Sequence, residues 1–238
     1  MRETEFYKNI EIDAEDKPRA AKALKSKGVE KHILIKEYLM TWRRGEVAKA
    51  IRYSEIASIY RYDKRIRNVL FKYVSYIEEF YRSVLLDSFM SATEQAFWRK
   101  SIKNLLKEHG NLNNALEDLP FSELLWQTQT KGFPAEVQSC CPFPDLHLRE
   151  NTGALIELRN AVMHNKFLIL YRGFEVCYVN GVDAGKSASL KANIYNLYNY
   201  LPKEVGDKML VDINDCRKKR NNNDKTKWDL PTQVTVKV

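Results

Sequence analysis

The chain has 238 residues, 44% of them hydrophobic and 11% aromatic, with a formal net charge of +8 and a pI near 9.2. That length and apolar content place it among globular proteins able to bury one core, and its 9 Gly and 7 Pro argue against an all-β fold with many tight turns. The positive balance fits a polyanion-binding protein, as supporting evidence only, because many basic proteins bind no nucleic acid specifically.

In chain order, residues 1–28 are mixed and charged up to Lys27-Gly28, and read as an extended or frayed N-terminal arm. This segment has acids throughout and no apolar signal core. No run in the chain approaches the ~18 consecutive apolar residues of a membrane span. The expectation is a cytoplasmic protein with no membrane partner. Val29 to about Thr41 reads as a helix, followed by a break at Arg44-Gly45 and a short helix from Glu46 to about Ser58. A long helix is predicted from about Tyr62 to Ser91. Ile66, Val69, Leu70, Tyr73, Ile77, Phe80, Val84 and Leu85 recur on it at three and four, so one face belongs to the core. Arg61, Lys64, Arg65, Lys72 and Arg82 give it a basic flank, which reads equally as a solvated helix face.

Residues 94–130 read as two or three short helices with a polar turn around Gly110–Asn114, and Trp98 and Trp126 as core anchors. The proline- and aromatic-rich stretch KGFPAEVQSCCPFPDLHLREN, residues 131–151, reads as a loop leading into the next helix. After His164, alternating apolar residues about a Gly173 turn suggest a helix end and a small β-hairpin. Helices follow from about Ser187 to Tyr200 and from Pro202 to the RKKR run at 217–220. The expected organisation is an arm over 1–28, a helical domain over 29–216 and a basic tail over 217–238. The tail suits either contact with an RNA backbone or simple solvation.

Four cysteines, Cys140, Cys141, Cys177 and Cys216, include an adjacent pair that suits neither a disulfide framework nor the CxxC spacing of a zinc site. His147 nearby does not change that. With no phosphate-binding Walker loop and no dinucleotide fingerprint, neither a metal nor a cofactor is expected.

The most informative stretch is Arg159-Asn160-Ala161-Val162-Met163-His164. A guanidinium is permanently charged and can grip a phosphate at two points. An imidazole titrates near neutrality and can move protons to or from a ribose hydroxyl and its leaving group. On a wheel at about 100° per residue, Leu155, Leu158, Val162, Met163 and Ile156 form an apolar arc with Arg159 in its middle. Asn160 and His164, one turn apart, sit on its border. A charge in such a place needs a carboxylate or a phosphate as partner. Two readings stay open on the wheel: a structural arginine paired to an acid beside a hydrogen-bonded edge histidine, or a catalytic pair. Glu78 and Arg82, four apart on the long helix, form an i, i+4 pair, and Glu78 is the natural candidate to neutralise Arg159.

Residues 60–83, YRYDKRIRNVLFKYVSYIEEFYRS, open with Tyr60, Asp63, Ile66 and Arg67 and continue to Glu78 and Arg82. Together with RNAVMH about 75 residues downstream, this resembles the abortive-infection proteins of the AbiD/AbiF type in the HEPN superfamily of helical ribonucleases, over roughly residues 30–170. The family often follows its His with a second His and a basic residue, where this chain has Asn165, Lys166 and Phe167.

The resemblance implies a mainly α, HEPN-like helical bundle with extra helices. It implies metal-independent cleavage of single-stranded RNA by attack of the 2′-hydroxyl, leaving a 2′,3′-cyclic phosphate. Arg159, Asn160 and His164 would be catalytic, Glu78 and Arg82 would hold them in place, and Lys166, Arg67 and Lys218 would be weaker candidates for RNA contact. A homodimer is implied, because HEPN nucleases usually face two motif helices across a cleft. So is a role in bacterial anti-phage or toxin–antitoxin-like defence, with an inhibitory RNA or protein antitoxin. The alternative is a non-catalytic HEPN-like module that binds RNA or partners a nuclease.

Overall fold

Apolar residues spaced at three and four dominate the chain, and in the computed structural model the protein is mainly helical. The structure describes residues 2–43, 50–89, 98–129, 147–177, 187–218 and 227–238, with only the backbone of Arg2, Ser88 and Phe89. Two compact units share it: Met1–Ile66 with Ile213–Lys237, and Arg67–Asp212. The expected boundaries at 28/29 and 216/217 therefore differ from those observed.

The first unit begins with α1 (Arg2–Tyr7), β1 (Ile10–Glu11), a 3-10 turn at Ala14–Asp16, α2 (Lys17–Lys27) and α3 (Val29–Trp42). β2 (Ile51–Arg52) then leads directly into α4 (Tyr53–Phe89). β1 and β2 pair in parallel, Ile10 opposite Ile51. The expected frayed arm is thus folded. Phe6, Ala20 and Leu24 are buried with Ile35 and Leu39 of α3, so a charged-looking segment supplies one apolar residue per turn or two, enough to dock it. Gly28 closes α2 at φ 87°, donating its N–H to Leu24 O at 3.1 Å; a positive φ of this kind favours glycine.

The long helix starts nine residues earlier than the pattern suggested, and the short helix expected from Glu46 is replaced, over its described part, by β2 and the first turns of α4. The cause is local. Glu55 accepts the Arg52 N–H at 3.0 Å, the back half of a capping box, and it also binds the Arg43 guanidinium. The break expected at Arg44-Gly45 lies outside the described residues.

The described end of the tail is packed rather than solvated. Ser54 Oγ donates to Asp229 at 2.9 Å, and Ser58 Oγ accepts the Asp229 N–H at 2.9 Å. Arg61 and Arg65 lie over the Trp228 ring at 5.5 and 4.4 Å. Val236 N–H reaches the buried Tyr62 hydroxyl at 2.8 Å. The asparagine run and the second half of RKKR lie outside the described residues.

The second unit holds the rest of α4, then α5 (Lys100–His109), α6 (Leu112–Glu117), α7 (Phe121–Thr128), α8 (Leu148–Met163), α9 (Leu190–Asn199) and most of α10 (Lys203–Asp215). The polar turn forms as expected: Gly110 closes α5 at φ 70°, and the Asn111 side chain caps α6 by accepting Asn114 N–H at 2.9 Å. Trp98 is buried, while Trp126 is only half-buried. Helix α8 starts at Leu148, inside the stretch expected as loop; residues 130–146, with Cys140 and Cys141, are not described.

α8 packs on α7 and α9. Its first turn is tied by polar contacts in the core to α9, where Asn196 Nδ2 donates to Asn151 O at 2.8 Å, and to the segment after Gly173, where Asn151 Oδ1 accepts Cys177 N–H at 3.0 Å. The hairpin expected about Gly173 is different. Val176 pairs antiparallel with Ser187, and Gly173 N–H reaches Ala188 O at 3.3 Å. The strand-like residues therefore pair forward, with the segment entering α9, and not backward across Gly173.

Candidate functional site

Helix α8 carries the Arg-Asn-x-x-x-His motif on its last turn and a half. Its buried positions are Asn151, Thr152, Ala154, Leu155, Leu158, Ala161 and Val162, whereas Ile156 and Met163 are only half-buried. The buried arc is therefore rotated towards Ala154 and Ala161 from the expected one. Arg159 lies on its flank, with 29% of its side chain exposed, and not in its middle. The wheel missed this because alanines and a buried asparagine count for little in an apolar pattern yet pack most closely.

The arginine has found its carboxylate. Glu78 Oε1 accepts from Arg159 Nε at 3.1 Å and from Nη2 at 3.0 Å. Both donors converge on one oxygen. The guanidinium also lies 5.7 Å from the centre of the Phe121 ring of α7, a contact no sequence pattern signalled. Its charge is thus held by an anion and an aromatic face while part of it stays open to solvent.

Arg82 forms the expected helical pair with Glu78 and has a second part besides. It stands 3.8 Å from Glu78, but its shorter bonds run from Nε to Leu116 O at 2.8 Å and from Nη2 to Leu119 O at 3.2 Å. These are carbonyls at and beyond the end of α6, groups a helix terminus leaves without internal partners. Arg82 thus secures α6 and leaves most of Glu78 to Arg159.

His164 is the residue at which α8 stops. Its N–H donates to Asn160 O at 2.9 Å, Asn165 N–H to Val162 O at 3.2 Å and Lys166 N–H to Ala161 O at 2.9 Å. Asn165 has φ 54°. This is a Schellman motif with asparagine in the left-handed position where glycine is commoner. The motif fixes the backbone under His164 and leaves its side chain exposed. Asn160, half-buried one turn back, meets His164 through its backbone carbonyl.

Asn165 is the residue sequence reasoning passed over. Its Oδ1 accepts from Arg67 Nη1 at 3.2 Å. Arg67 was expected to touch RNA, but it is only 8% exposed and instead joins α4 to the turn after His164. An asparagine directly after a helical histidine was the available signal. Lys166 is exposed and pairs with Glu157 at 3.0 Å. Lys218 belongs to the first unit, is exposed, and pairs with Asp215 at 2.6 Å.

The second unit therefore joins α4 to α8 at two places, Glu78 and Arg82 with Arg159 and, about three turns away on α4, Arg67 with Asn165 beside His164. His164 lies five positions after Arg159, so their side chains leave the helix about 140° apart. Among the described residues, no group of three or more His, Cys, Asp or Glu side chains is placed to hold a metal ion, and no helix is long and apolar enough to cross a membrane. His147 is described, but its cysteine neighbours at 140 and 141 are not. No family model, curated protein or solved structure matches the chain.

Proposed function

We propose that this chain is a metal-independent endoribonuclease of the HEPN type that cleaves single-stranded RNA in bacterial anti-phage defence. The observation that carries the reading is the end of α8, where Arg159 is anchored by Glu78 yet part-exposed and His164 is held on a rigid cap with its ring in solvent. Arg159 binds the scissile phosphate and stabilises the charge that develops on it. His164 takes the proton of the attacking 2′-hydroxyl or gives one to the departing 5′-oxygen. Asn160 orients the phosphate. The products are a 2′,3′-cyclic phosphate and a 5′-hydroxyl, and DNA is spared because it lacks the attacking group.

The angle between Arg159 and His164 along one helix supports a homodimer, in which a second α8 supplies the group that a single copy turns away. A verified monomer with full activity would count against it. An inhibitory RNA or protein antitoxin would hold such an enzyme silent in a cytoplasm it would otherwise damage. A second reading, an RNA-binding module without turnover, draws support from Glu78, which already neutralises the guanidinium in the absence of RNA.

The test is incubation of wild type, Arg159→Ala and His164→Ala with labelled single-stranded RNA in excess EDTA. Cleavage by wild type leaving cyclic-phosphate ends, reduced about 10²–10⁴-fold in each variant, is expected. Binding without turnover selects the second reading, and equal cleavage by His164→Ala overturns the catalytic assignment.

A further inference from the structure

The first unit contains an open cavity of about 200 Å³ lined by α2, α3, the start of α4 and Lys227. Four cations line it, Arg19, Lys27, Arg61 and Lys227. Asp16 is the one carboxylate among the described residues of its wall, and it is engaged by Arg19 at 3.4 Å. Outside the wall, Asp13 approaches Lys227 at 3.8 Å. Positive charge is therefore concentrated here in excess of what the described neighbours offset.

Arg61 is held rather than waving in solvent, and Arg19, Lys27 and Lys227 stand exposed around it. Arg61 Nη2 donates to Lys227 O at 2.8 Å and to Ser58 Oγ at 3.1 Å, and its guanidinium lies over Trp228. Lys27 Nζ stands 5.1 Å from the centre of the Tyr60 ring. Its ammonium is held below the usual lysine range by burial and then by the charges of Lys64 and Arg61. Cations gathered in this way repel one another until an anion enters between them, and a concave site strengthens the attraction. A solvated basic helix face would not hold an arginine by two hydrogen bonds and an indole ring.

The same wall carries an aromatic pair. His32 stacks on Tyr60, ring centres 5.2 Å apart and planes 8° from parallel. His32 Nδ1 lies 2.8 Å from Gly28 O, so that nitrogen is the donor and the ring is oriented by the backbone. His32 is buried and backs the half-buried Tyr60 ring. An aromatic ring beside several cations suits a nucleotide, which presents a phosphate to the cations and a sugar or base to the ring. The cavity is smaller than the roughly 300 Å³ at which whole small-molecule sites begin, which fits a phosphate and its attached sugar better than a fully enclosed ligand.

We infer that this cavity binds the terminal phosphate of a nucleotide, with Lys27, Arg19, Arg61 and Lys227 around the phosphate and the Tyr60–His32 pair beside the sugar or base. The site goes beyond the nuclease reading and uses none of its residues. A free nucleotide and the 5′-end of an RNA offer the same chemistry.

Calorimetric titration of the full chain carrying His164→Ala separates these sources while preventing cleavage. The titrants are AMP, inorganic phosphate, adenosine, and one short oligoribonucleotide with either a 5′-phosphate or a 5′-hydroxyl. AMP should bind at least about tenfold more tightly than adenosine, and Lys27→Gln or Arg19→Gln should weaken it about tenfold. A 5′-phosphorylated oligonucleotide that exceeds AMP assigns the site to an RNA end; AMP binding as well or better assigns it to a free nucleotide. Adenosine binding as tightly as AMP, AMP affinity unchanged in both variants, or no AMP binding at millimolar concentration overturns the proposal. None of these outcomes depends on whether wild type cleaves RNA.

Discussion

Replacing Glu78 by glutamine removes one charge from the centre of the α4–α8 contact and keeps the size of the side chain. Glu78 is 16% exposed, with Arg159 at 3.0 Å and Arg82 at 3.8 Å. Opposite charges about 4 Å apart attract by roughly 4 kcal/mol at an effective dielectric near 20. Desolvation of the carboxylate offsets much of that, and the two arginines, 29% and 26% exposed, are partly rehydrated in the variant. A net loss of about 1–2 kcal/mol remains, corresponding to roughly 2–8 °C in melting temperature for a chain of this size. On the proposed nuclease reading, the effect on catalysis has two opposed parts. Without the carboxylate, Arg159 binds a phosphate with less competition, so KM for RNA falls. The guanidinium is also less well placed, so kcat falls. Thermal melts and steady-state cleavage of a labelled RNA read both. A drop in stability with kcat and KM unchanged would show that Glu78 only supports packing, and no change in any of the three would refute the charge argument itself.

Two further substitutions test other parts of the structure. Asn165→Gly keeps the left-handed backbone and loses the acceptor for Arg67, whereas Asn165→Ala loses both, so the alanine variant should be less stable by about 1 kcal/mol in urea unfolding; equal stabilities would deny the strained cap. On the nuclease reading both should cleave RNA more slowly, because the turn carries His164. Burial pushes the Tyr62 hydroxyl up to about 12, so the folded protein keeps it neutral after the unfolded chain has begun to ionise near 10. The stability this contributes is complete below pH 10 and is lost as the pH rises towards about 12. The advantage of wild type over Tyr62→Phe should therefore shrink across that window, and an advantage that stays constant would contradict the assignment.

The helical character of the protein was legible in its sequence, because apolar residues at three and four spell out α3, the middle of α4 and α10 without help from their neighbours. The turn at Gly110–Asn114 was legible too, since its glycine and asparagine have local conformational reasons to be there. Glu78 and Arg159 could be matched across 81 positions because a charge on an apolar flank needs a counter-charge and few candidates share a helix face. Other features are invisible one segment at a time. The N-terminal arm folds because three apolar residues find a partner in α3, and Arg67 is buried because Asn165 is brought to it from 98 positions away. The rotation of the buried arc on α8 and the docking of Trp228 against Arg61 and Arg65 likewise depend on what lies opposite. Local periodicity fixes which residues can form helices, since that is a property of the backbone and its nearest turns. Which side of each helix is buried, and which charged group meets which, is decided only when the elements pack, because burial and ion pairing are energies between segments distant in the chain.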